Sequence, residues 1–125
     1  MKFLCICNAG NNRSAALATA LKHLNGDYIH QDIPDSVTIE AVAIGVHRCT
    51  KDTLQYFISW ADYVIVITEV QEAVEQLQQL IPPAKYIRWD IGYDRWVPKF
   101  NNELFSLAMT QAHMLKQRYV DDIEL

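Results

Sequence analysis

No apolar run in this chain approaches the roughly 20 residues that a membrane span requires, so a transmembrane helix is not expected. The N-terminus lacks an apolar core followed by a small-residue cleavage site, and no secretory signal is expected either. Cysteine is scarce. Three thiols, an odd number without metal-ligand spacing, make neither a disulfide framework nor a zinc site. They fit a reducing compartment, and a cytoplasmic protein is expected. Basic residues are outnumbered, with 11 Lys and Arg against 15 Asp and Glu, and the net charge of −4 argues against a general nucleic-acid surface. There is no internal repeat and no linker-like segment. What remains is a chain of 125 residues, 50% hydrophobic and 21% charged. That composition is globular, and one domain over residues 1–125 is expected.

Hydrophobic periodicity divides the chain into alternating strands and helices. Lys2–Ile6 is a short apolar strand. Ser14–Asn25 carries Leu17, Leu21 and Leu24 at helical spacing and stops at Asn25-Gly26. Tyr28–Ser36 is a connection. Val37–Val46 is rich in β-branched residues and closes on Gly45, which predicts a second strand. Lys51–Ala61 is an amphipathic helix, with Leu54, Phe57, Ile58 and Ala61 on one side. Asp62–Thr68 is a nearly continuous apolar strand of the kind buried on both faces. Glu69–Leu80 is a third helix, stopped by Pro82-Pro83. Ala84–Trp89 is a fourth strand. Asn101–Val120 is a closing helix with Leu104, Leu107, Ala108 and Leu115 on its stripe, followed by an acidic end, Asp121–Leu125. Strands alternating with helices predict an α/β fold, a parallel sheet covered by helices on both faces. Ligands of such sheets bind at the carboxyl ends of the strands. His23, His30, His47 and Cys49 are assigned no role.

One junction carries chemistry. Cys7 ends the first strand, and Asn8, Ala9, Gly10, Asn11 and Asn12 form a loop of small and amide residues. Arg13 and Ser14 then open a helix. A loop closing on a helix N-terminus aims backbone N–H groups at one point, where the helix dipole adds partial positive charge. Gly10 takes a positive φ without steric cost, and successive N–H groups curl into an anion nest. Arg13 supplies a planar fork matched to two phosphate oxygens. Cys7, on the floor of this cup, is expected to favour its thiolate. Ser14 either donates a hydrogen bond to that thiolate or caps the helix. Residues Asn8 to Arg13 are thus candidates to bind a tetrahedral oxyanion, with a nucleophile beneath its central atom.

The spacing Cys-x5-Arg-Ser, placed after the first strand, resembles the low-molecular-weight protein tyrosine phosphatases. Asn-Asn-Arg-Ser is also similar to the related phosphatase of the RNA polymerase II tail. Against the commonest loop of that family, Cys-x-Gly-Asn-x-Cys-Arg-Ser, this chain has Ala9 for glycine, Gly10 for asparagine and Asn12 for a second cysteine. The resemblance implies three layers around a four-stranded sheet in the order 2-1-3-4. It also implies hydrolysis of phosphotyrosine or other aryl phosphomonoesters through a phosphocysteine, with Cys7, Arg13 and Ser14 as catalytic residues. No metal or other cofactor is implied. The partner is a phosphorylated protein or a small aryl phosphate; nothing fixes the oligomeric state.

A general acid completes such a site, and the resemblance places it between the fourth strand and the closing helix. The family's Asp-Pro is missing there. Asp90 and Asp94 are the candidates, and Asp94 is preferred because its distance to the closing helix matches the family better. Either could instead cap a turn or pair with Arg95. The resemblance makes Tyr93 and Trp96 candidates for the substrate slot, with core packing the alternative for Trp96. The altered loops leave room for a phosphate-binding regulatory module with little turnover. An arsenate reductase is a weaker alternative, because that chemistry passes a disulfide along further cysteines and only Cys5 and Cys49 remain.

Overall fold

In the computed structural model, residues 1–9, 12–25, 38–96 and 101–121 are described. Gly10, Asn11, Gly26, the connection Tyr28–Ser36 and the last four residues of the acidic end lie outside them. The first strand, β1 (Lys2–Cys7), leads into α1 (Arg13–His23), then β2 (Glu40–Gly45), α2 (Lys51–Trp60), β3 (Tyr63–Val66), α3 (Gln71–Leu80), β4 (Tyr86–Arg88) and α4 (Asn102–Leu115). A single π-helical stretch, Lys116–Asp121, ends the described chain.

The strands form one parallel sheet in the order β2-β1-β3-β4, the expected arrangement. β1 is interior, and its side chains alternate between two cores. Phe3, Cys5 and Cys7 join Leu17, Leu21, Ile65, Ala108 and Leu115 under α1 and α4. Leu4 and Ile6 join Leu54, Ile58, Val66, Val74 and Leu77 under α2 and α3. A strand with period two that is covered on both faces needs apolar residues at every position, which is why β1 and β3 are unbroken apolar runs. The order also explains which helix lies where. The chain steps from β1 out to β2, returns past β1 to β3 and continues to β4. Right-handed crossovers then place α1 on one face and α2 with α3 on the other. The reversal makes the carboxyl ends of β1 and β3 the topological switch point, the place where sheets of this kind bind their ligands.

Several elements are shorter than the hydrophobic patterns predict, and each has a cause. β2 begins only at Glu40, the ladder partner of Lys2, and before it Thr38 O accepts the Met1 ammonium at 2.8 Å. β3 stops at Val66, and two residues later Thr68 turns its hydroxyl to Asn8. Val70 ends as the N-cap residue of α3 rather than part of the helix. β4 keeps three residues because its one neighbour is β3. Leu107, placed on the apolar stripe of the closing helix, is instead exposed. Asn25 ends α1 in a distinctive way. Its side chain bonds both backbone groups of Ile39, at 2.6 and 3.0 Å, and so aligns the helix with the start of β2.

The β1–β2 ladder runs on past its ends and carries the loop with it. Val46 N donates to Cys7 O at 2.9 Å and His47 N to Asn8 O at 3.0 Å. At Gly45 the backbone of Ala9 passes so close that a β-carbon would sit 2.2 Å from its carbonyl carbon and 2.5 Å from its oxygen. Only a residue without Cβ fits there. Gly45→Ala should therefore destabilise the protein by roughly 1–3 kcal/mol, the usual cost of overpacking, read as a lower urea midpoint. An unchanged midpoint would mean the loop moves aside freely.

Candidate active site

Cys7 is the last residue of β1 and is 3% exposed. Its Sγ lies 3.0 Å from Oγ of Ser14, which is fully buried in the first turn of α1. Of the two roles open to Ser14, the structure shows the contact with the thiol. Asn12 holds the N-cap position of α1, yet its side chain caps nothing, and the first turn contains no acidic residue. The positive end of the helix dipole therefore meets no acidic side chain from its own first turn. Gly10 and Asn11, both candidate phosphate ligands, fall outside the described residues. Ala9 contributes backbone only, pressed against Gly45.

Arg13 is 2% exposed. Its Nη1 donates to Glu69 Oε2 and to the carbonyl oxygen of Gly92, both at 2.6 Å. Its Nε is buried and has no hydrogen-bond partner among the described residues. A buried donor without an acceptor is costly and rare in folded proteins, and an oxyanion in the cup would answer it. Glu69, just beyond β3, is the residue that sequence reasoning missed. Its side chain is about one-third exposed. Partial burial raises its pKa, but the hydrogen bonds and charge of Arg13, together with the Asn8 amide, outweigh this and hold the carboxyl below its usual value. Asn8 Nδ2 reaches the two Glu69 oxygens at 3.3 and 3.5 Å, while Asn8 Oδ1 accepts from the Thr68 hydroxyl. The Asn8 side chain, expected beside the phosphate, thus spans the carboxyl ends of β1 and β3.

The loop after β4 separates the two aspartates. Asp90 Oδ1 accepts from Gly92 N at 3.2 Å and lies 3.9 Å from Arg88 Nη2, so it closes a turn in which Gly92 takes φ 78°. Asp94 faces the loop that follows Cys7, and its Oδ1 accepts from Asn12 Nδ2 at 2.6 Å. Tyr93 beside it is 65% exposed. Trp96 is 2% exposed, and the Arg95 guanidinium covers its ring at 4.1 Å. Its indole is packed inside, so of the two aromatics expected to line a slot only Tyr93 is exposed. Asp94 and Arg95 form no ion pair; Arg95 Nη1 donates to Ile91 O at 3.1 Å. His47 is exposed. Cys5, on the Cys7 side of β1, is fully buried, and desolvation pushes its thiol far above the ordinary range. Burial also raises the Cys49 thiol. Among the described residues no group of three His, Cys, Asp or Glu could hold a metal ion, and no helix is long and apolar enough to cross a membrane.

Solved structures of several phosphatases have a similar fold. The YwlE arginine phosphatase from Geobacillus stearothermophilus aligns with TM-score 0.58 and 16% identity over 98% of this chain and 92% of its own. The tyrosine phosphatase Wzb from Escherichia coli K30, in complex with phosphate, aligns with TM-score 0.60 and 14% identity over 94% and 97%. A YwlE variant with a phosphorylated active-site serine aligns with TM-score 0.57 and 15% identity over 95% and 98%. No protein-family model and no curated protein sequence matches the chain. The likeness is one of fold: this chain has the fold of the low-molecular-weight tyrosine phosphatases.

The Glu69 pairing makes a pH prediction. A carboxyl whose folded pKa lies below its ordinary value adds stability above that value and loses it as pH falls through the folded pKa. Glu69→Gln should therefore be less stable than the parent above about pH 5 and should lose less stability on acidification below it. Parallel urea-midpoint curves for the two proteins would contradict this.

Proposed function

We propose that the chain is a cysteine-dependent phosphatase that hydrolyses phosphotyrosine or other aryl phosphomonoesters through a phosphocysteine intermediate. The observation that carries this reading is the buried, unpaired Nε of Arg13, in the residue next to the Ser14 that contacts Cys7. A dianionic phosphoryl group supplies the acceptor that Nε lacks, and the open N-terminus of α1 faces the same charge. Wzb was solved with phosphate, and the YwlE variant carries a phosphoryl group on its active-site serine; both support the chemistry by analogy of fold.

The reaction follows from the groups present. The Cys7 thiolate, stabilised by the Ser14 hydroxyl, attacks phosphorus as the ester P–O bond breaks. Arg13 and the loop amides bind the equatorial oxygens, whose charge grows toward the transition state. Asp94 gives its proton to the departing oxygen. The resulting carboxylate then takes a proton from water, the water oxygen bonds to phosphorus, and the S–P bond breaks to free the thiolate. Exposed Tyr93 next to Asp94 suits an aromatic leaving group, which can stack on it. The substrate is a phosphorylated protein or a small aryl phosphate. A reducing compartment such as the cytoplasm suits this chemistry, because three thiols with no disulfide among them stay reduced there. A phosphate-binding module with little turnover is the second reading, favoured by the absence of proline after Asp94. Rapid-quench trapping of phosphocysteine separates the two.

The nucleophile can be tested directly. Iodoacetate at mildly acidic pH should label Cys7 at least about tenfold faster than Cys49, since the thiolate is the reacting species, and inorganic phosphate should protect Cys7. Equal, unprotected labelling would defeat the proposal. For the acid, Asp94→Asn should slow phenyl phosphate hydrolysis by roughly 10²–10⁴-fold, the usual contribution of a general acid. It should slow p-nitrophenyl phosphate far less, because that phenoxide leaves with little help. Asp90→Asn should show no such grading; if it alone does, the two aspartates exchange roles.

A further inference from the structure

Asn12 stands at a position where its type normally serves as a helix cap, accepting from the N–H groups of the first turn. It does not do so here. The residue is 8% exposed, and its amide nitrogen is turned to the loop after β4. There Nδ2 donates to Asp94 Oδ1 at 2.6 Å and to Trp96 O at 2.8 Å. A primary amide has two N–H bonds, and both are used. The orientation is fixed by chemistry, because a backbone carbonyl can only accept. The next residue, Arg13, holds Gly92 O at 2.6 Å. Two consecutive residues of the nucleophile loop therefore hold residues 92, 94 and 96 of the facing loop.

From this geometry we infer that Asn12 is a positioning residue for the proton donor, so that the nucleophile loop itself sets where Asp94 stands. The inference rests on the proposed role of Asp94. An exposed aspartate on an irregular loop has many rotamers and few fixed points. The Asn12 amide removes that freedom at one oxygen. It also selects the oxygen that carries the proton. Oδ1 receives an N–H and must present a lone pair, so the acidic hydrogen sits on Oδ2, and Oδ2 is the atom that delivers it to the leaving group. After transfer, both oxygens are acceptors and the same bond stabilises the carboxylate that must next take a proton from water. One amide thus serves both half-reactions without touching phosphorus.

The test uses Asn12→Ala and the nearly isosteric Asn12→Leu, which keeps the packing and removes both donors. On phenyl phosphate, kcat should fall about 10–100-fold, the size of effect that a misplaced catalytic group causes. On p-nitrophenyl phosphate it should fall less than about threefold, by the same leaving-group logic. The inhibition constant of inorganic phosphate should stay within about twofold, since the backbone cup is kept. Asn12→Leu combined with Asp94→Asn should be no slower than Asp94→Asn alone, because both act through one group. A loss equal across leaving groups, weakened phosphate inhibition or an additive double variant would each overturn the inference. If Asp94→Asn is itself ungraded, the assignment of the acid fails and this inference with it, while phosphocysteine trapping still reports separately on the phosphatase reading. Amide hydrogen exchange in the Cys7→Ser background needs no turnover. Residues 93–95 should exchange faster once Asn12 is replaced, and unchanged exchange there would also overturn the inference.

Discussion

Burying the guanidinium of Arg13 is the constraint on which the rest of the structure depends. A charge at 2% exposure has to be met by acceptors, and these come from two separate loops, with a third in support. Glu69 arrives after β3, Gly92 after β4, and Asn8 after β1 supports Glu69 from the side. Glu69 and Gly92 lie far from Arg13 in sequence. They meet because the strand order places the carboxyl ends of β1, β3 and β4 along one rim. Breaking such a pair by removing one partner typically costs several times what an exposed ion pair contributes. The arginine thus makes the integrity of the rim part of the stability of the fold.

Division of labour within the guanidinium follows from the same contacts. Nη1 is committed to the protein, while the buried Nε remains unanswered. Holding one end of a rigid planar group fixes the direction of the other. This is preorganisation: the acceptors that aim the fork are already in place, and under the proposed function an arriving anion would find it aimed. Lysine in its place would be a point charge on a flexible stem and could not be aimed in this way.

What the sequence disclosed was mostly what is local. The run Cys7 to Ser14 is contiguous, so strand, loop and helix start could be recognised together, and the apolar runs of β1 and β3 pointed to a sheet covered twice. Element ends were less legible. The start of β2 depends on which residue of β1 it meets, and the end of β3 on the hydroxyl of Thr68 turning toward Asn8. Glu69 went unnoticed because its meaning lies in a neighbour 56 residues away, and only the strand order reveals that pairing. The two aspartates look alike as text. They differ in whether the carboxylate closes its own turn, as Asp90 does, or reaches across to Asn12, as Asp94 does. Trp96 and Tyr93 are both aromatic, and nothing in composition tells that Arg95 covers one of them while the other stands in water.

Cys5 gives the protein a second, independent thiol reporter. It lies two residues before Cys7 on the same side of β1, fully enclosed beneath α1 and α4, with its ionisation suppressed by the apolar surroundings. No reagent dissolved in water can meet it until the central strand itself is uncovered. Its modification therefore counts openings of the whole sheet, and without any engineered label this sulfur keeps a clock for global unfolding.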